Sequence, residues 1–131
     1  MSTLFASRRT AAATAVAAGL GSAAVVLTAG PAFAVQAKTV TLAPGASTCV
    51  TQYAGYQVRG DGSATADGAR FKLLLNGQVL DATLGRVTGW ADERRTSTGT
   101  FPGAGYYAAC AYNTGTRNTT VFLRIQTDGE I

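Results

Sequence analysis

The stretch that decides the fold class is residues 69–80, ARFKLLLNGQVL. Two apolar segments flank Asn76-Gly77, and both residues of that pair tolerate positive φ, as a two-residue type I′ turn requires. The stretch therefore predicts a β-hairpin in which residues 71–75 pair with residues 78–82.

A second strong signal is the nearly continuous apolar run YYAACAY at residues 106–112. Such a run is typical of a strand at the centre of a packed sheet. Because successive side chains of a strand point to opposite faces, Tyr106 and Tyr107 are expected on opposite sides, one of them near the surface.

The remaining segments are weaker but similar in kind. Further strands are predicted at residues 38–42, at 47–59 with a bulge or bend at Gly55, and at 119–127, where Val121, Leu123 and Ile125 share one face. The small-residue stretch GDGSATADG, residues 60–68, is predicted to be a loop, and residues 81–95 a long connection with one short edge strand at most. About seven short strands separated by turns predict an all-β fold, an antiparallel Greek-key β-sandwich.

The first 34 residues have the layout of a helical signal peptide. A segment ending in Arg8-Arg9 precedes an uncharged alanine-rich run, and Ala32-Phe33-Ala34 supplies the small residues that signal peptidase requires. Cleavage between Ala34 and Val35 is therefore expected, by the general secretory or the twin-arginine route, and leaves a domain of residues 35–131 with no membrane span. An uncleaved membrane anchor is the alternative.

Export would also remove two positive charges. The chain has eleven basic and seven acidic residues; without Arg8 and Arg9, nine basic residues remain and the net charge is +2. That balance, with no basic run longer than Arg94-Arg95, is atypical of a nucleic-acid-binding protein, so no nucleic-acid partner is expected. A secreted monomer, extracellular or associated with the cell envelope, is expected instead.

The chain has two cysteines, Cys49 and Cys110. In a small secreted domain two cysteines most often form a disulfide, and two free thiols or an intermolecular bridge are the alternatives. In the chain-entropy model, closing a loop of this length stabilises the folded state by roughly 4 kcal/mol.

The spacing of these cysteines and the segment PGAGYYAAC, residues 102–110, resemble a small bacterial immunoglobulin-like sandwich. The resemblance covers most of residues 38–127 and implies that Cys49 and Cys110 lie on facing sheets. Two positions depart from that family: Trp90 is too far from Cys49 to be its core tryptophan, and Ala108 stands where its corner tyrosine is expected. A jelly roll or another Greek-key sandwich stays open.

No catalytic residue, metal ligand or cofactor is predicted. The chain has no histidine, which excludes Ser-His-Asp and Cys-His catalysis and histidine-ligated zinc. A glycosidase with two carboxylates needs a deep cleft, for which so small a domain has little room beside its core. Residues 61–67 alternate oxygen-bearing side chains as a calcium loop does, but the twelfth position is Lys72 rather than glutamate.

Aromatic residues give the clearest functional signal, because they outnumber the needs of one small core. They are Tyr53, Tyr56, Trp90, Tyr106, Tyr107 and Tyr112. Trp90 lies in a polar segment next to glycine, and Trp90, Arg94 and Arg95 are predicted to border a ligand-binding surface. The alternative interpretation places Trp90 at the open end of the core.

These patterns favour a secreted, non-catalytic β-sandwich that binds a cell-envelope polymer, a glycan or another protein. The runner-up is an inhibitor of an extracellular protease or glycosidase, which would present residues 92–103 as a rigid loop. A small enzyme is the third hypothesis.

Overall fold

The computed structural model describes residues 35–131, so the predicted signal peptide, residues 1–34, lies outside the described residues. Eight strands and one 3-10 turn form within that range. They are β1 (Gln36–Leu42), β2 (Ser47–Ala54), β3 (Gln57–Ala64), β4 (Arg70–Leu75), β5 (Gln78–Ala82), β6 (Gly89–Arg95), the 3-10 turn Thr96–Thr98, β7 (Gly105–Tyr112) and β8 (Thr119–Thr127). A search of the described residues for helices long and apolar enough to cross a membrane finds none.

The strands form two four-stranded sheets, in which every neighbouring pair is antiparallel. Sheet one has the order β1-β8-β3-β6, and sheet two has the order β2-β7-β4-β5. Every connection except the β4–β5 hairpin carries the chain from one sheet to the other. The predicted all-β fold of antiparallel sheets is confirmed. The inward faces of both sheets share one hydrophobic core, which is compatible with the predicted sandwich.

The core follows from the period-two alternation of the strands. On β7, Tyr107 and Ala109 are fully buried while Tyr106 is largely exposed, which confirms the opposite orientation predicted for the two tyrosines. β7 lies between β2 and β4, at the central position that its apolar run predicts. β8 buries the alternating residues Val121, Leu123 and Ile125.

The β4–β5 hairpin forms at the predicted place. Asn76 and Gly77 both have positive φ, 48° and 86°, and Leu75 pairs with Gln78 directly across the turn. The register then shifts, because Leu74 pairs with Val79 but Leu73 pairs with Asp81. This bulge is absent from the sequence pattern, which shows only an uninterrupted hairpin.

The predicted loop at residues 60–68 is wrong over its first half, since β3 extends to Ala64 and lies between β8 and β6. Gly60 and Gly62 are strand residues that face the core. A Cβ atom on Gly60 would lie 3.1 Å from the Trp90 ring, and one on Gly62 would lie 2.7 Å from the Phe71 ring. The small residues therefore make room for large side chains of other strands, which local composition does not show.

The disulfide Cys49–Cys110 is present, as predicted. Its placement on facing sheets is wrong: the two cysteines are opposite each other on β2 and β7, neighbouring strands of sheet two, with their Cα atoms 4.1 Å apart. The spacing of two cysteines along the chain does not determine whether their strands are neighbours in one sheet or face each other across the core. The disulfide itself is typical of an oxidising, extracellular environment.

Candidate functional site

Trp90 lies on β6, at the edge of sheet one, and packs at the margin of the core. Its indole stacks on Phe71, with ring centroids 5.6 Å apart and an angle of 4° between the planes. Its Nε1 donates a hydrogen bond of 3.4 Å to Asp81 Oδ2. Trp90 therefore covers the gap above Gly60 between the two sheets and keeps part of its surface accessible.

The two predicted arginine partners of Trp90 lie on opposite sides of β6. Arg94 points to the same side as Trp90 and donates from Nε and Nη2 to both oxygens of Asp92, at 3.0 and 3.1 Å. This hydrogen bonding raises the pKa of Arg94 above its ordinary value. Arg95 lies on the outer side and donates to Gln57 Oε1 at 3.2 Å. The structure therefore does not gather Trp90, Arg94 and Arg95 on one face, and their binding role stays a prediction.

Arg95 belongs to a chain of ion pairs on the outer side of sheet one, here called the charged face: Arg95, Glu93, Arg59, Asp61 and Arg124. Arg95 bonds to Glu93, Glu93 to Arg59 at 3.3 Å, Arg59 to Asp61 at 3.1 Å, and Asp61 to Arg124 at 2.7 Å. The hydrogen bond from Arg95 holds the pKa of Glu93 below its ordinary value, and the bond to Asp61 raises the pKa of Arg124. Each charge on this face has an opposite neighbour.

The outer side of sheet two has a different chemistry. Its central patch, here called the tyrosine face, consists of Tyr53, Tyr106, Ala108, Leu74 and Val79. Tyr53 and Tyr106 are opposite each other in the β2–β7 register, with ring centroids 5.3 Å apart in an edge-to-face arrangement. They are 47% and 62% exposed. Leu74 lies beside Ala108 on one neighbour and Val79 on the other, so the patch is apolar and uncharged.

The tyrosine face is held in place from two directions. Two hydrogen bonds join the turn of the hairpin to Tyr106. The Tyr106 N–H donates to Asn76 Oδ1 at 3.0 Å, and the Asn76 N–H donates to the Tyr106 carbonyl at 2.8 Å. The disulfide fixes β2 to β7 further along the same face. A positive charge appears only beyond the disulfide, where Lys72 Nζ lies 4.5 Å above the Tyr112 ring.

Sequence reasoning counted these tyrosines as surplus aromatics and did not assign them to a site. The alternation of β2 puts Tyr53 on the face of Cys49, and the alternation of β7 puts Tyr106 on the face of Cys110. Their proximity follows only once β2 and β7 are known to be neighbours. The disulfide was the available signal, because two cysteines opposite each other set the register that brings Tyr53 to Tyr106.

All seven acidic residues of the chain are engaged by other groups of the fold. Besides the pairs above, Asp67 accepts from Arg117 at 2.8 Å, and Glu130 accepts from the Thr127 N–H at 2.6 Å. Asp128 accepts from the N–H groups of Gly55, Tyr56 and Gln57 at 2.7, 2.9 and 3.1 Å. In the described part of the chain, no three His, Cys, Asp or Glu residues cluster in a way that could hold a metal ion.

The first four residues of the candidate inhibitory loop, residues 92–103, belong to β6, and the rest form a mostly exposed loop. After β6, the 3-10 turn ends at Gly99 in the left-handed conformation, and Thr100 and Phe101 both donate backbone N–H groups to the Arg95 carbonyl. The Tyr107 hydroxyl then donates to the Gly103 carbonyl at 2.6 Å. The loop is therefore exposed and internally bonded.

No protein-family model and no curated protein matches this chain.

Proposed function

We propose that this protein is a secreted, non-catalytic binding module whose tyrosine face takes a glycan polymer of the cell envelope. The observation that carries the proposal is the pair Tyr53 and Tyr106, which lie side by side and exposed on an uncharged patch of the sheet surface. A contiguous cluster of exposed apolar groups on a small domain often marks an interaction site.

The chemistry of the tyrosine face suits a sugar polymer. Tyrosine offers a rigid apolar ring at a low cost in conformational entropy, and its hydroxyl still donates and accepts hydrogen bonds. Sugar rings combine apolar C–H faces with a rim of hydroxyls, so they match both properties. Because the patch carries no charge, a neutral chain is favoured over an acidic one.

The absence of catalysis is supported by the state of the acidic residues. Two-carboxylate hydrolysis needs one protonated and one free carboxylate across a cleft. Here Asp61 and Asp92 are bound by arginines, and Asp81 accepts from Trp90. Binding without turnover is the function that this arrangement supports.

Secretion and the finer fold belong to the same proposal. The disulfide fits an oxidising compartment, and the orders β1-β8-β3-β6 and β2-β7-β4-β5, with a sheet-to-sheet crossing at all but one connection, support a Greek-key jelly roll. An immunoglobulin-like sandwich joins its cysteines across the two sheets, whereas Cys49 and Cys110 lie within one.

The test is retention of the purified protein on insoluble peptidoglycan, chitin and cellulose. Each exposed tyrosine should contribute about 1–2 kcal/mol of binding, so replacing both Tyr53 and Tyr106 by alanine should weaken binding at least about tenfold. Phe122→Ala is the matched control, because Phe122 is an exposed aromatic on the outer side of sheet one. Failure of the unaltered protein to bind any of these polymers, or equal losses in the control, would contradict the proposal.

The second candidate, inhibition of an extracellular hydrolase, is supported by the candidate loop at residues 92–103, which is exposed and internally bonded after β6 ends. A rigid loop loses little conformational entropy when an enzyme cleft takes it. The test is inhibition of a panel of secreted bacterial proteases and glycosidases. Thr98→Trp, at the exposed tip of the loop, should abolish inhibition, while the tyrosine variants should leave it unchanged.

A further inference from the structure

The four edge strands of the sandwich differ in how they are protected against pairing with another strand. An open edge presents unpaired backbone groups, and proteins usually block it with charges, bulges or proline. β6 carries four consecutive charged residues, β5 has a register shift and Asp81, and β1 carries Lys38. β2 has none of these features: its eight residues are uncharged, it contains no proline, and its register with β7 is continuous.

The register also shows which backbone groups of β2 are free. The Cα atoms of Cys49 and Cys110 are 4.1 Å apart, the short spacing of an antiparallel pair that does not exchange hydrogen bonds with its partner. The N–H and C=O groups of Cys49 therefore point away from β7. By alternation, those of Ser47, Thr51 and Tyr53 do so too. Within residues 35–131, β7 is the only strand that neighbours β2.

We propose that β2 is the surface through which two copies of this chain pair, antiparallel, about a two-fold axis. The four outward-facing residues are centred on Val50, so an axis there places Ser47 opposite Tyr53 of the second copy and Cys49 opposite its Thr51. The two Cys49–Thr51 pairs and the two Ser47–Tyr53 pairs form two hydrogen bonds each, so eight bonds satisfy the eight free backbone groups of each copy. An interface of this kind is self-complementary, as two-fold symmetry requires.

The charges beside β2 select a second copy as the occupant. At the start of the strand, Lys38 Nζ bonds to Thr48 Oγ1 at 3.0 Å. Near its end, Gln52 Nε2 lies 3.4 Å from Glu130 Oε1. With the axis at Val50, Thr48 is opposite Gln52 of the second copy. Lys38 is bonded to Thr48 and Glu130 to Gln52, so Lys38 of each copy would lie near Glu130 of the other. The edge is thus basic at one end and acidic at the other, which favours antiparallel pairing with itself.

The pairing would join two copies of sheet two into one continuous eight-stranded sheet. Tyr53 lies on the joining strand, so the two tyrosine faces would become one longer surface. The dimer rests on the free backbone groups of β2 and on the charges of Lys38 and Glu130 beside it, and it does not depend on glycan binding. The proposed dimer differs from the monomer that is expected from the sequence.

Sedimentation equilibrium on protein expressed from the full-length sequence, purified in the form that accumulates, tests the pairing. The unaltered protein should show the mass of two chains in reversible equilibrium with one. Thr51→Pro removes an outward N–H while leaving the bonds to β7 intact, and proline is tolerated at such a position. It should raise the dissociation constant at least about tenfold, whereas Thr51→Val, which keeps the N–H, should not.

Two further variants keep the test independent of how well the proline variant folds. Lys38→Glu should weaken the dimer about tenfold by facing Glu130 with a like charge, and adding Glu130→Lys to it should restore most of the affinity. Thermal unfolding confirms that each variant is folded. A monomer at every concentration, a dimer that Thr51→Pro leaves as tight as Thr51→Val does, or a double variant no tighter than Lys38→Glu would overturn the proposal.

Discussion

Gly62→Ala tests whether the glycines of β3 are needed to seat side chains of the core. A Cβ atom at residue 62 would lie 2.7 Å from Phe71 Cε1, 2.9 Å from the Phe122 carbonyl oxygen and 3.1 Å from Leu123 Cδ2. The carbonyl belongs to the neighbouring strand β8, and the Phe71 ring is fully buried against Trp90. None of these atoms can move away without disturbing the sheet or the core.

The cost of such overpacking is typically about 1–3 kcal/mol. In a domain of this size that corresponds to a fall in melting temperature of about 5–20 °C. The assay is thermal unfolding followed by circular dichroism, with urea unfolding to obtain the free energy. Gly89→Ala is the matched control: Gly89 is also a strand residue of sheet one, but a Cβ atom there would meet nothing within 4 Å. If Gly62→Ala is as stable as Gly89→Ala, the argument about β3 is refuted.

Three other predictions concern the turn after β2, the indole and the disulfide. Burial acts to raise the pKa of Asp128, but the N–H groups of Tyr56, Gly55 and Gln57 outweigh it and lower that pKa; Asp128→Ala should therefore cost about 1–2 kcal/mol at neutral pH. A lowered carboxyl pKa stabilises the fold at pH values above the pKa of the unfolded state. The difference from the unaltered protein should therefore shrink as the pH falls below about 4, and a constant difference would contradict this. Trp90→Ala should lower the free energy of unfolding by about 2–4 kcal/mol through loss of the stack on Phe71. In the unaltered protein, iodide should quench Trp90 fluorescence only weakly, and strong quenching would place the indole in solvent. Thiol titration of the denatured, unreduced protein should find no free thiol, and replacing Cys49 and Cys110 by alanine should cost roughly 2–5 kcal/mol in urea unfolding.

The sequence predicted those elements whose formation depends on neighbours along the chain. The β4–β5 hairpin follows from Asn76-Gly77, and β8 follows from an alternation that any buried sheet face would require. The second half of β3 is absent from the prediction, because Gly60 and Gly62 are small to make room for Trp90 and Phe71, which reach them from other strands.

The candidate site was predictable only in part, for the same reason. Composition showed a surplus of tyrosines but not which strands are neighbours, and the pairing of Tyr53 with Tyr106 exists only in the β2–β7 register. The sequence singled out Trp90 because its flanking residues are polar. In the structure that polar segment is the edge strand β6, and the indole turns inward to Phe71.

The position of the disulfide connects the stability of the fold with both proposals. An edge strand has one neighbour, so half of its backbone groups lack a partner within the sheet and its ends are the first to fray. β2 is such a strand, and Cys49 near its middle is tied covalently to Cys110 on the central strand β7. That bond holds in register the strand that carries Tyr53 and the unpaired edge centred on Val50. A bridge between facing sheets would leave β2 joined to β7 by hydrogen bonds alone. The cross-strand placement would therefore suit the recognition that we propose for this edge strand and the face beside it.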